Sequence, residues 1–168
     1  MKKQPLKKTV YQIILIILYL FLIGFFCYSC LQDGNESGEE SQLVAQIILR
    51  PIELITGSKI EITDEINHLI RKLVGHYGYF VVLGTVSSLL YYSFDRPRLS
   101  IRILINFVSG LLFALFSEFV LQSLTPGRGP SIQDAGIDYA GFVTLSLVIT
   151  IIYLVKQKKK SLPPIENQ

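Results

Sequence analysis

Residues 10–31 read VYQIILIILYLFLIGFFCYSCL, a run without a single charged side chain. At about 1.5 Å of rise per residue, a helix of that length covers the hydrocarbon core of a bilayer, about 30 Å. A cleaved secretory signal is the rival reading. Its apolar region is usually about 7–15 residues long, and this run is longer and carries no A-x-A-like cleavage site. Cys30 also lacks the small apolar context of a lipoprotein cleavage site, so the run is expected to be a retained first transmembrane helix. The whole chain agrees: of 168 residues 50% are hydrophobic and only 17% charged, against about 25% charged in soluble domains. The formal net charge of +3 sits in short basic clusters beside apolar runs, which gives no footprint for a nucleic-acid partner. Cys27 and Cys30 are three apart, a spacing open to a redox pair, but one isolated C-x-x-C reads more simply as apolar filler.

Three further apolar runs follow, at 75–94, 103–121 and 132–155. The expected fold class is all-α: an integral membrane four-helix bundle. Between the first two spans lies the segment 32–74, with eight acidic and four basic residues. It opens on the loop-like DGNESGEES. Two amphipathic helices are predicted after it, one from Ser41 with Pro51 as its end or kink, and one opened by Thr63-Asp64-Glu65. Its acidity argues for packing over the bundle mouth rather than lying on lipid. The tail 156–168 begins with four lysines in five residues, contains Pro163-Pro164, and reads as disordered. Segments 1–9, 95–102 and 156–168 hold 11 Lys/Arg, while 32–74 and 122–131 hold five. The positive-inside rule then sets both termini in the cytoplasm and makes the 32–74 segment extracellular.

That orientation gathers the polar residues of the spans near the outer surface. Glu118, Gln122, Arg128, Asp134 and Asp138 all fall between the third and fourth spans, and His76 sits at the outer end of the second. Asn106, Gly110, Ala114, Glu118 and Gln122 form an i+4 stripe, a small or polar face that permits close helix packing. An acidic residue at a membrane centre costs about +3 kcal/mol on insertion scales, and less at shallow depth, so Glu118 calls for a partner or a purpose. Two readings stand side by side: a structural clamp in which Arg128 or His76 pairs with the carboxylates, and a charged pocket for a polar head group. Arg128, between two glycines in PGRGP, is suited to a planar oxyanion through its bidentate fork, or to Glu118 or Asp134 as ion-pair partner. Asp134 fits the S-x-x-D capping box at the start of the fourth span. Asp138, one turn on, is beyond capping, and the two carboxylates beside Glu118 suit acid/base work or a divalent cation. No cation-loop spacing is present, and His68 and His76 are two turns apart, so no metal and no cofactor is assigned. There is no Walker loop and no Ser-His-Asp order.

Two blocks resemble the VanZ-like family of small bacterial membrane proteins. Arg71-Lys72-Leu73-Val74-Gly75-His76-Tyr77 is similar to its R-K-x-x-H-F block, with Gly75 as one extra residue. Glu118-x-x-x-Gln122, Pro126-Gly127-Arg128 and Asp134…Asp138-x-x-Gly141 are similar to its E-x-x-Q/E-x-x-x-P-G-R…D…N-x-x-G block. The founding member accompanies glycopeptide-resistance genes and is associated with teicoplanin resistance. The resemblance thus implies a multi-pass protein of the bacterial cell membrane. The expected function is to engage an anionic lipid-linked cell-wall precursor through Arg128 and His76, with Glu118, Asp134 and Asp138 orienting the arginine, or otherwise to contribute to glycopeptide resistance. The alternatives are a membrane hydrolase or transferase acting on a polyprenyl-phosphate-linked lipid, with Glu118 or Asp138 as base, and a structural partner of another envelope protein using the acidic segment. Membrane lipids are partners in every case.

Overall fold

The computed structural model describes residues 6–32 and 34–161. Lys2 and Lys3 of the basic N-terminus, and the tail from 162 with its Pro163-Pro164, lie outside the described residues. Within them the chain is all helical: α1 (Leu6–Leu31), α2 (Gly34–Thr56), α3 (Asp64–Ser93), α4 (Leu99–Leu124) and α5 (Ile132–Ser161). Four of these, α1, α3, α4 and α5, are long and apolar enough to cross a membrane. The distribution of side chains is inverted relative to a water-soluble bundle. Ile13, Ile17, Leu20, Leu104, Leu112 and Ile151 are exposed, while Asn106, Glu118, Asp138 and Ser146 are fully buried. Apolar faces outward and polar groups inward are what a lipid solvent selects.

α5 packs along α3 and α4, and α1 closes the bundle against α3. The core runs through Leu22, Phe26, Phe80, Leu83, Ala114 and Phe142. Phe142 is seated where two glycines face it: a Cβ at Gly84 would stand 2.3 Å from the Phe142 carbonyl oxygen, and one at Gly110 would stand 2.5 Å from its ring. Lipid tails give no hydrophobic drive between helices, so close contact at small residues carries association. Below this joint, Asn106 Oδ1 accepts from Ser87 Oγ (2.6 Å) and its Nδ2 donates to Ser88 Oγ (2.9 Å), tying α4 to α3. One end of the bundle collects Lys8, paired with Asp95 at 2.6 Å, and Arg102, which donates to the carbonyls of Tyr92 and Phe94.

Several boundaries differ from the sequence reading. α1 starts at Leu6 and takes in Lys7 and Lys8. The polar stretch expected as a loop is helical from Gly34. Pro51 does not end α2: the carbonyl it leaves unpaired belongs to Ile47, whose residue is exposed and open to solvent. The second amphipathic helix is not separate from its span. Thr63 Oγ1 accepts from the Ile66 N–H to open α3, which then runs unbroken through a π-helical stretch, Arg71–Gly78. α5 continues through the lysines to Ser161; lysine is a good helix former and favourable at a C-terminus. Finally, α2 lies on α3 with Ala45 buried and Val44 half-buried, while Leu43, Ile47, Leu54 and Ile55 face outward.

Candidate functional site

Two interruptions of regular α-helix shape the end of the bundle opposite Lys8 and Asp95. α3 widens into the π stretch Arg71–Gly78, and α4 does so at Ser117–Leu121 before a 3-10 turn, Gln122–Leu124. π turns close i→i+5 bonds and recur at functional sites. Residues five apart are brought toward one face, and Arg71 and His76 line the same cavity. The connection after α4 reverses through Gly127, whose φ of +74° is left-handed and costs little only in glycine.

From these backbones His76, Glu118 and Asp138 converge. His76 Nδ1 lies 3.0 Å from Asp138 Oδ1 and 3.7 Å from Glu118 Oε1. Gln122 Nε2 donates to the same Glu118 oxygen. Both carboxylates are 0% exposed, and the edge of Phe26 closes the other side of the imidazole at 6.3 Å between centroids. Asp134 stands apart, paired with Lys72 Nζ at 2.9 Å. Its backbone N–H donates to Ser131 Oγ at 3.2 Å, so Ser131 caps α5 while the Asp134 carboxylate faces α3.

Arg128 departs from the sequence reading. It makes no ion pair with Glu118, Asp134 or Asp138 among the described residues. Its Nη1 donates instead to the carbonyls of Ser29 (3.1 Å) and Cys30 (3.4 Å), and Thr125 Oγ1 donates to Cys30 O at 3.0 Å. The last carbonyls of a helix have no partner within it, and a cation there also meets the negative end of the dipole. The TPGRGP turn aims Arg128 at that end of α1 rather than at the carboxylates. Burial holds its guanidinium below the ordinary arginine value, which still leaves it charged at neutral pH. His68 is exposed and shares no site with His76, which lies two turns further on, inside the π stretch.

A cavity of about 240 Å³ opens beside the cluster. Arg71, Arg128, His76 and Gln122 supply its polar wall, and Phe25, Phe26 and Tyr79 its aromatic one. α2 contributes Glu40, Ser41 and Val44 to the rim. The Nε atoms of Arg71 and Arg128 are buried without a hydrogen-bond partner among the described residues. Of the expected site residues, His76, Glu118, Gln122 and Asp138 form one buried group, Arg128 joins the cavity wall, and Asp134 falls outside both. Arg71 and Lys72 open the block that resembles the R-K-x-x-H-F motif but are not among the expected site residues; their place just before His76 is the available signal.

A bundle of four apolar helices with its charges turned inward at one end defines a multi-pass helical membrane protein. The chain belongs to the VanZ/LLP1 family, whose sequence model matches residues 15–153. Neither a curated protein nor a solved structure matches it.

Proposed function

We propose that this VanZ-like protein binds the anionic head group of a membrane lipid in the cavity beside His76, with a phosphate held by Arg128 and Arg71. The carrying observation is a pair of arginines, each with an unpartnered buried Nε, lining one cavity together with Phe25, Phe26 and Tyr79. Guanidinium forks match phosphate oxygens, and the aromatic wall suits the first carbons of a lipid chain. With the termini cytoplasmic by the distribution of lysine and arginine, the cavity opens to the outer leaflet. A lipid-linked cell-wall precursor is then the ligand of choice, and its capture would alter what a teicoplanin-type glycopeptide can reach.

The test is native mass spectrometry of the detergent-purified chain with undecaprenyl phosphate and pyrophosphate-linked precursors. The wild type should carry one lipid of unchanged mass. Arg128→Ala and Arg71→Ala should each weaken binding tenfold or more. Arg71→Ala leaves the Arg128 contacts to α1 intact, so it separates ligand loss from loss of that helix end. Undiminished binding in both variants removes the proposal. A second reading draws on the Asp138 carboxylate that fixes the His76 ring on the cavity wall, an arrangement suited to general acid/base work. A bound lipid of altered mass would establish that reading instead.

A further inference from the structure

His76, Glu118 and Asp138 come from three different helices and offer one ligand atom each within 4.8 Å of one another. The measured spacings from His76 Nδ1 are 3.0 Å and 3.7 Å. Ligands bound to a small divalent ion at about 2.0–2.2 Å in tetrahedral geometry stand about 3.3–3.6 Å apart. The two spacings bracket that range and the Glu118–Asp138 one is at most 4.8 Å, within reach of side-chain adjustment onto one ion.

A second observation points the same way. Glu118 Oε2 and Asp138 Oδ2 are buried and have no hydrogen-bond partner among the described residues, a costly state for a carboxylate out of water. Charge is also unbalanced. Among the described residues no lysine or arginine pairs with either carboxylate: Lys72 meets Asp134, while Arg128 and Arg71 stand on the cavity wall. With a neutral imidazole, the three donors carry two negative charges. A divalent cation cancels both and supplies the partner that the two carboxylates lack, while Gln122 fixes the orientation of Glu118.

We propose that His76, Glu118 and Asp138 bind one divalent transition-metal ion of the Zn2+ class. One imidazole and two carboxylates disfavour Ca2+ and Mg2+, which prefer all-oxygen cages, and Cu+, which prefers sulfur. Three protein ligands leave at least one position open. His76 and Gln122 line the cavity, which gives an ion its route in. The site does not depend on the lipid reading.

The experiment uses the full chain in detergent, without a polyhistidine tag and stripped by chelator, titrated with Zn2+ by calorimetry and native mass spectrometry. One ion per chain is expected, with tenfold or greater weakening in Asp138→Asn and Glu118→Gln. His68→Ala, at an exposed histidine, should bind as the wild type does. Co2+ in the wild type should give a visible ligand-field band that excess Zn2+ abolishes. This readout stands even if the variants fold poorly. Absence of stoichiometric uptake and of the Co2+ band in the wild type overturns the proposal. So does uptake undiminished in the two carboxylate variants.

Discussion

Gly141→Ala tests how the helix packing holds the cluster. A Cβ at Gly141 would stand 2.3 Å from the Tyr77 carbonyl oxygen and 3.1 Å from its carbonyl carbon and Cα. Ordinary contact begins at 3.4 Å, so α5 and the π stretch of α3 must part by about 1 Å, an overpacking of the kind that cores resist. The neighbours are backbone atoms, and no rotamer change can relieve them. Tyr77 follows His76, and Gly141 lies one turn beyond Asp138, so the same displacement stretches the 3.0 Å His76–Asp138 contact beyond hydrogen-bond range. Overpacking costs about 1–3 kcal/mol, and the strain here falls at the upper end because it is backbone against backbone. Alanine returns about 1 kcal/mol of helix propensity, leaving a net loss of about 2 kcal/mol. Gly136→Ala is the control. It lies on the same helix with nothing within 4 Å of its added Cβ, and it should gain about 0.5–1 kcal/mol. Equilibrium unfolding in mixed micelles, followed by circular dichroism, should therefore move the two variants to opposite sides of the wild type. A Gly141→Ala protein at least as stable as the wild type would refute the close approach and the account of how Asp138 is held.

Asn106→Ala removes two buried hydrogen bonds, to Ser87 and Ser88. At about 0.6 kcal/mol each between membrane helices, it should destabilise by about 1 kcal/mol in the same assay. A double-mutant cycle with Ser88→Ala should return about half of that as coupling. At the other end, Lys8 holds the Asp95 carboxyl below its ordinary value. The sign follows from that depression: the stabilisation is complete above the unfolded value of about 3.9 and is lost as pH falls through the lower folded one. Melting of wild type and Asp95→Asn should accordingly differ at pH 7 and converge in strong acid. A gap that persists or widens there would contradict the pairing.

The spans were legible because length and apolarity suffice for them: nothing in 10–31 or 103–117 offers the backbone an alternative to a helix in lipid. The stripe Asn106, Gly110, Ala114, Glu118 marked the inward face of α4 for the same reason, since small and polar residues have no place against hydrocarbon. What the sequence concealed depends on helical phase. His76 and Asp138 are 62 positions apart, and which carboxylate meets the imidazole turns on a few tens of degrees of rotation. The π stretch Arg71–Gly78 carries that rotation. Its wider turn keeps the helix continuous and sets His76 with Arg71 on the cavity wall. Periodicity at 3.6 residues has no means of anticipating that.

The reassignment of Arg128 follows from competition between acceptors. Glu118 and Asp134 are acidic residues close to Arg128 in sequence, so a sequence reading pairs the arginine with one of them. The carbonyls of Ser29 and Cys30 end a long helix, where they lack partners within it and the dipole adds its own negative end. The rigid turn at Gly127 fixes the reach of the side chain, and the carbonyls lie within it. Lys72 meanwhile neutralises Asp134, leaving His76 as the one basic side chain paired with Glu118 and Asp138 among the described residues. Two buried carboxylates against one imidazole cannot be neutral with both acids ionised, whether or not the ring is protonated. Charge balance at that depth requires either a further proton or a bound cation, and the unpartnered oxygens facing no donor favour the cation.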